Sequence, residues 1–96
     1  MSDEQLDDLT QPQRDRLAFV ELRVRFIGDI RRQDLVSRFG IQSAAATRDL
    51  ALYKELAPGN IDYDTKAKCY VLGEDFKPLF DFPPERVLSW LTQGFG

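Results

Sequence analysis

Apolar positions recur at helical spacing over three stretches of the chain and alternate over a fourth. Leu17, Val20, Val24 and Ile27 share one face of a helix expected over 11–27, and Phe19, Leu22 and Phe26 widen that face. So broad a stripe implies that the helix touches more than one neighbour. Thr10 followed by Gln13 has the capping-box spacing, Pro12 is tolerated in a first turn, and Gly28-Asp29 closes the helix. Ile30 fits a very short extended piece. A second helix is expected over 32–39 with Leu35, Val36 and Phe39 inward. Its start at Arg31 lacks a capping side chain, and Asp34 in the first turn compensates through the helix dipole. Gly40 stops it, because glycine tolerates the left-handed conformation that ends a helix, and Ile41 returns to the core. A third helix then runs over about 43–56 with Ala46, Leu50, Tyr53 and Leu56 buried, and Ser43 is the expected N-cap. After the breaker Ala57-Pro58-Gly59-Asn60, residues 61–64 and 68–72 read as two strands joined by Thr65-Lys66-Ala67, a β-hairpin.

Two helices joined by a tight turn and followed at once by a hairpin form a winged helix-turn-helix. The expected class is therefore mainly α with a small β-hairpin, plus a C-terminal apolar linker or short helix. Residues 1–9 read as a disordered acidic N-terminus, 10–73 as the winged domain and 74–96 as an extension. That extension concentrates Phe76, Leu79, Phe80, Phe82, Val87, Leu88, Trp90 and Leu91, with Pro84 able to open a helix ending near Gln93. This apolar density exceeds what one small domain readily hides. It points to packing on a second chain or a further domain; folding back over the first helix is the alternative.

Charge sharpens the picture. The net charge is −3, yet residues 11–54 hold nine basic and five acidic side chains, a local surplus of four positive charges over the helix-turn-helix. The local field governs phosphate binding more than the total does. The outward side of the third helix is small and polar near its start, which allows close approach to a DNA major groove. Gln42, Ser43 and Thr47 are hydrogen-bonding candidates, Ala44 and Ala45 would permit approach or meet a thymine methyl, and Arg48 would grip guanine or phosphate. For Arg48 the competing role is a salt bridge with Asp49 or another acid. Asp49 itself reads as structural, paired with an arginine, and Lys54 as a solvated side chain. Arg31 and Arg32, unfavourable for the dipole at a helix start, suit phosphates. Lys66 and Lys68 at the hairpin tip would reach a phosphate or the minor groove, or simply solvate the turn.

Catalysis finds no support. The chain has no His, its single Cys69 lies among apolar neighbours without an activator, and no glycine-rich phosphate loop occurs. No catalytic residue, metal ligand or cofactor is expected. Nor is there an apolar run long enough for a membrane span, or an apolar signal region, and one unpaired cysteine suits a reducing cytoplasm. A protein-interaction module on the same scaffold is the competing function, since fold does not fix function.

The stretch RFGIQSAAATRDLALYKELAPGNIDYD, with TRDL, then ELAP-G-N-x-x-Y-D and K-x-Y, resembles the N-terminal winged helix-turn-helix of bacterial WYL-domain transcriptional regulators, especially the group that represses phage-defence islands. QRDRLAFVELRVRFIGDIRRQDL and FKPLF fit as well, so the likeness spans about residues 13–82, and FGI…TRDL is more distantly similar to the deoxyribose-operon-repressor type. Gln42 stands where that family usually has Ser. The resemblance implies a repressor in the bacterial nucleoid that binds an inverted repeat of double-stranded DNA as a homodimer. It also implies a C-terminal WYL sensor domain, which these residues do not include.

Overall fold

The computed structural model describes residues 8–80, and the expectations for residues 1–7 and 81–96 lie outside the described residues. Three helices and a small antiparallel sheet follow in the order α1 (Gln11–Phe26), β1 (Asp29–Ile30), α2 (Arg32–Phe39), α3 (Ser43–Leu56), β2 (Ile61–Asp64) and β3 (Cys69–Leu72). The architecture is a winged helix domain.

The capping box at the start of α1 is formed: the Gln13 amide donates to the Thr10 hydroxyl at 3.2 Å, and the Thr10 amide donates to Gln13 Oε1 at 3.0 Å. The helix runs through the middle of the domain. Leu17, Ala18, Phe19, Val20, Glu21 and Leu22 are all buried, which requires neighbours on every side. The broad stripe thus has the meaning expected of it, but its far end does not. Phe26 is 50% and Ile27 43% exposed, because α1 has by then passed the packed layer and Ile27 is only its C-cap.

Gly40 takes the left-handed conformation (φ +67°) and turns α2 into α3. Leu35, Ala46, Leu50 and Tyr53 from the two helices join Leu17, Val20 and Val24 in one core, with Val36, Phe39, Ile41 and Leu56 packed at its border. Phe39 meets Phe19 edge-on with ring centroids 5.6 Å apart, a favoured aromatic arrangement. The N-cap of α3 is Gln42, not Ser43: Ser43 is already helical, and Gln42 makes no side-chain cap bond. Ser43 has the better capping hydroxyl, but the extended backbone at Gln42 (φ −71°, ψ 152°) decides where the helix opens.

The sheet order is β1-β3-β2, so Ile30 belongs to a third strand that pairs with Tyr70, while Tyr63 pairs with Tyr70 from the other side. Lys68 stands in the tip with φ +56°, and β3 begins one residue later than expected, at Cys69, which is buried.

Two assignments at the chain's edges change. Leu9, placed with the acidic N-terminus, is half-buried against the core. Phe76, Leu79 and Phe80, expected to cover a partner, also pack against this domain's own core as partly buried side chains. The alternative of folding back therefore holds for these three; Phe82, Val87, Leu88, Trp90 and Leu91 lie outside the described residues.

Candidate nucleic-acid interface

The face that sequence singled out is built at the junction of α2, α3 and the hairpin. Along the first half of α3, Ala46, Asp49 and Leu50 point inward, while Ser43, Ala44, Thr47, Arg48 and Ala51 are exposed and Ala45 is half-buried. The exposed set is short-chained apart from Arg48. Ala51 extends it by one turn beyond Thr47 and was not singled out from sequence; the i, i+4 step from Thr47 carries that signal. The Thr47 hydroxyl donates to the Ser43 carbonyl at 3.1 Å and faces the Arg32 guanidinium at 3.4 Å.

The hairpin tip is a defined turn. One carboxylate oxygen of Asp64 accepts from the amides of Lys66 at 2.9 Å and Ala67 at 3.1 Å, and the Lys68 amide returns to the Asp64 carbonyl at 2.7 Å. The Lys66 and Lys68 side chains project from it and are exposed. Arg31 ties the tip to α2 by donating through Nη1 to the Ala67 carbonyl at 2.7 Å. That uses one of five guanidinium donors and leaves the others free to meet a ligand. A cleft of about 380 Å³ opens between these parts, lined by Arg31, Arg32, Thr47, Tyr63, Lys68 and Tyr70 among others. Tyr63 and Tyr70 pack edge-on at 5.1 Å along the sheet side of the cleft. Neither tyrosine was a sequence candidate, although the alternation around Tyr63 placed it on the face opposite Asp62 and Asp64.

The electrostatics follow from where the acids go. Asp49 is buried and bound by both Arg16 Nε at 2.5 Å and Arg16 Nη2 at 3.3 Å, so its expected arginine partner comes from α1. Asp34 accepts from the Arg31 amide at 2.7 Å and lies 3.4 Å from Arg23 Nε, which also reaches Asp29. Asp62 pairs with Lys54 at 3.1 Å. Lys54 is therefore not simply solvated: its ammonium also donates to the carbonyls of Pro58 and Ile61, closing the C-terminal end of α3 against β2. Asp49 and Asp62 each have a cation of their own, and Asp29 and Asp34 share Arg23. Among the described residues Arg31, Arg32, Arg48, Lys66 and Lys68 form no ion pair. The internal salt bridge weighed as the alternative for Arg48 is absent among those residues, since Asp49 is taken by Arg16.

Residues 12–93 match the model of the BrxR transcriptional regulator winged helix-turn-helix domain. This chain belongs to that family. The family domain was expected on the TRDL and ELAP-G-N stretches, which lie at α3 and at its exit towards the hairpin. The chain is also 41% identical over 64 residues to the DNA-binding transcriptional repressor CapW of Stenotrophomonas maltophilia, covering 67% of this chain and 21% of that relative. It is 42% identical over 65 residues to CapW of Pseudomonas aeruginosa, covering 68% of this chain and 22% of the relative. The matched stretch is thus about a fifth of these relatives' length. No helix among the described residues is long and apolar enough to cross a membrane.

Proposed function

We propose that this BrxR-type domain is the sequence-reading part of a transcriptional repressor, with the first half of α3 in the major groove of duplex DNA. The observation that carries the reading is a set of cations without an ion pair: Arg31, Arg32 and Lys68 around the cleft that Thr47 lines, Lys66 on the hairpin tip, and Arg48 on the exposed side of α3, whose other exposed side chains in its first half are short. Short side chains let a helix seat deeply, and unpaired cations at its flanks release counterions from phosphates. In this reading Arg48 with Gln42, Ser43 and Thr47 meets base edges, and Ala44, Ala45 and Ala51 admit the groove floor. Arg31 and Arg32 hold the phosphates across the cleft, and Lys66 and Lys68 hold the neighbouring backbone or minor groove. The repressor names of the CapW relatives support it.

The reading extends to two copies on an inverted repeat, because one domain with a single groove-facing helix reads only a half-site. It extends also to a ligand-sensing domain outside these residues and to action on bacterial DNA in phage defence, as the resemblance to WYL-domain regulators implies. Selection of bound duplexes from a random library tests it. An enriched inverted repeat supports sequence-specific binding by two copies, and a single enriched half-site supports binding by one. No enrichment would overturn the DNA reading and favour docking to protein, for which the exposed Phe26, Ile27 and Leu72 provide a surface.

A further inference from the structure

Glu21 is 1% exposed in the middle of α1 and has no ion pair among the described residues. Its carboxylate is served instead by hydrogen-bond donors from two different parts of the fold. Oε1 accepts from the Tyr53 hydroxyl of α3 at 2.8 Å and from the Leu79 amide at 2.8 Å, and Oε2 accepts from the Phe80 amide at 3.0 Å. Asn60, equally buried, works from the other end. It donates to Tyr53 Oη at 3.0 Å and to the Lys77 carbonyl at 2.8 Å, and accepts from the Lys77 amide at 2.7 Å. Residues 76–80 are neither helix nor strand, and the Lys77 amide and carbonyl and the Leu79 and Phe80 amides are satisfied by these two side chains, not by a ladder. The same two side chains meet at Tyr53, which is wholly buried and belongs to the helix that carries the proposed reading face.

We propose that residues 76–80 are a latch whose docked state is sensed by α3 through Glu21, Tyr53 and Asn60. Force or rearrangement transmitted along the chain beyond Phe80 would then alter how the α3 face is presented. The physical basis is the cost of half-undoing the network. Lifting the strap removes two of the three donors of a buried carboxylate, and an underserved buried charge must rehydrate or find new partners. The nearest donor it retains is the hydroxyl on α3, so opening the strap perturbs that helix directly. Coupling of this kind rests on an element with two arrangements that both sites bias. Its consequence for DNA rests on the function proposed above; the coupling itself does not.

Amide hydrogen exchange on the full chain tests both parts. Glu21→Gln keeps one acceptor oxygen for Tyr53 and Leu79 but turns an NH₂ group towards the Phe80 amide. Exchange at Phe80 should quicken about tenfold, and exchange around Tyr53 in α3 should quicken about threefold. In a Tyr53→Phe background the same substitution should still free the strap but leave α3 unchanged, because the connection is already cut. Asn60→Ala, which releases Lys77 and spares Glu21, should repeat the pattern if Glu21→Gln does not fold. A strap that opens with α3 unaffected, or α3 effects that persist in Tyr53→Phe, would overturn the coupling. A Phe80 amide that keeps its protection in Glu21→Gln would overturn the latch. Affinity for a selected duplex is a separate arm: it should change at least about threefold in Glu21→Gln, a residue far from any base. A wild-type chain that binds no duplex would sink the DNA reading while the exchange data still decide the latch.

Discussion

At the scale of single residues, the sharpest distinction is between arginines that hold the fold and arginines that face outward. Arg16 is a structural strut, because Asp49 sits 4% exposed and spends both oxygens on it. Asp49→Ala should therefore lower unfolding free energy by about 2 kcal/mol in urea titrations, at the low side for a broken buried pair because Arg16 keeps some access to water. Arg48, one residue earlier, should do the opposite: Arg48→Ala should leave stability nearly unchanged and weaken binding to a selected duplex by about 1–3 kcal/mol in anisotropy titrations. Glu21 makes a third kind of prediction. Burial raises its pKa above the ordinary 4.5, outweighing the opposing bonds from Leu79, Tyr53 and Phe80 and the field of Arg25. Tyr53 is likewise pushed up by burial and by Glu21, so it remains an O–H donor throughout the working range. A carboxyl whose folded pKa is raised favours folding most when protonated in both states. That contribution is complete below pH 4.5 and is lost as pH rises through the raised value. The stability of the native chain relative to Glu21→Gln should thus decline as pH is raised from 4.5, and a flat difference across that window would contradict the assignment. The sequence carried a signal for Glu21, an acid inside the apolar run from Leu17 to Val24, but none for its partners, which come from residues 53, 79 and 80.

At the scale of elements, the punctuation was legible and the pairing across elements was not. Gly40, the Thr10 capping box and the strand alternation each act within a few residues, so they could be read directly. The third strand could not: Asp29-Ile30 becomes a strand only because β3 lies beside it, pairing Ile30 with Tyr70. The same holds for Lys54, whose role depends on carbonyls at residues 58 and 61 brought back by the turn. Two glycines separate local from tertiary demands. Gly40 has φ +67° with open space around a prospective side chain, so Gly40→Ala should cost about 1 kcal/mol through backbone strain alone. At Gly73 a Cβ would lie 2.2 Å from the Gly59 carbonyl oxygen, a main-chain atom that cannot swing away. Gly73→Ala should therefore cost more than Gly40→Ala, by calorimetry of the two variants side by side, because it forces apart the turn before β2 and the end of β3.

At the scale of the whole molecule, the distribution of charge matters more than its sum. A chain of net charge −3 can still present a cationic face when its acids are taken up internally, as Asp34, Asp49 and Asp62 are here. Segment counting captured the surplus over residues 11–54 but could not show which cations were already engaged. Arg16, Arg23 and Lys54 belong to the fold, whereas Arg31, Arg32, Arg48, Lys66 and Lys68 form no ion pair among the described residues. If Lys66 meets phosphate, Lys66→Ala should weaken binding to all duplexes alike and reduce the salt slope by about one unit. A loss of sequence preference would reassign it to base contact. Apolar distribution depends on tertiary packing as well. Phe76, Leu79 and Phe80 looked surplus to a small domain, yet α1 is buried on so many sides that it can take a strap as a further layer.

A backbone amide chemical-shift titration of the chain with a selected duplex tests most directly whether α3 enters the groove. Shifts should concentrate at residues 42–51 of the α3 face, at 31–33 and at the hairpin tip 65–68, with Phe26, Ile27 and Leu72 quiet. Shifts centred on those three apolar residues, with the α3 face unmoved, would contradict that placement of α3.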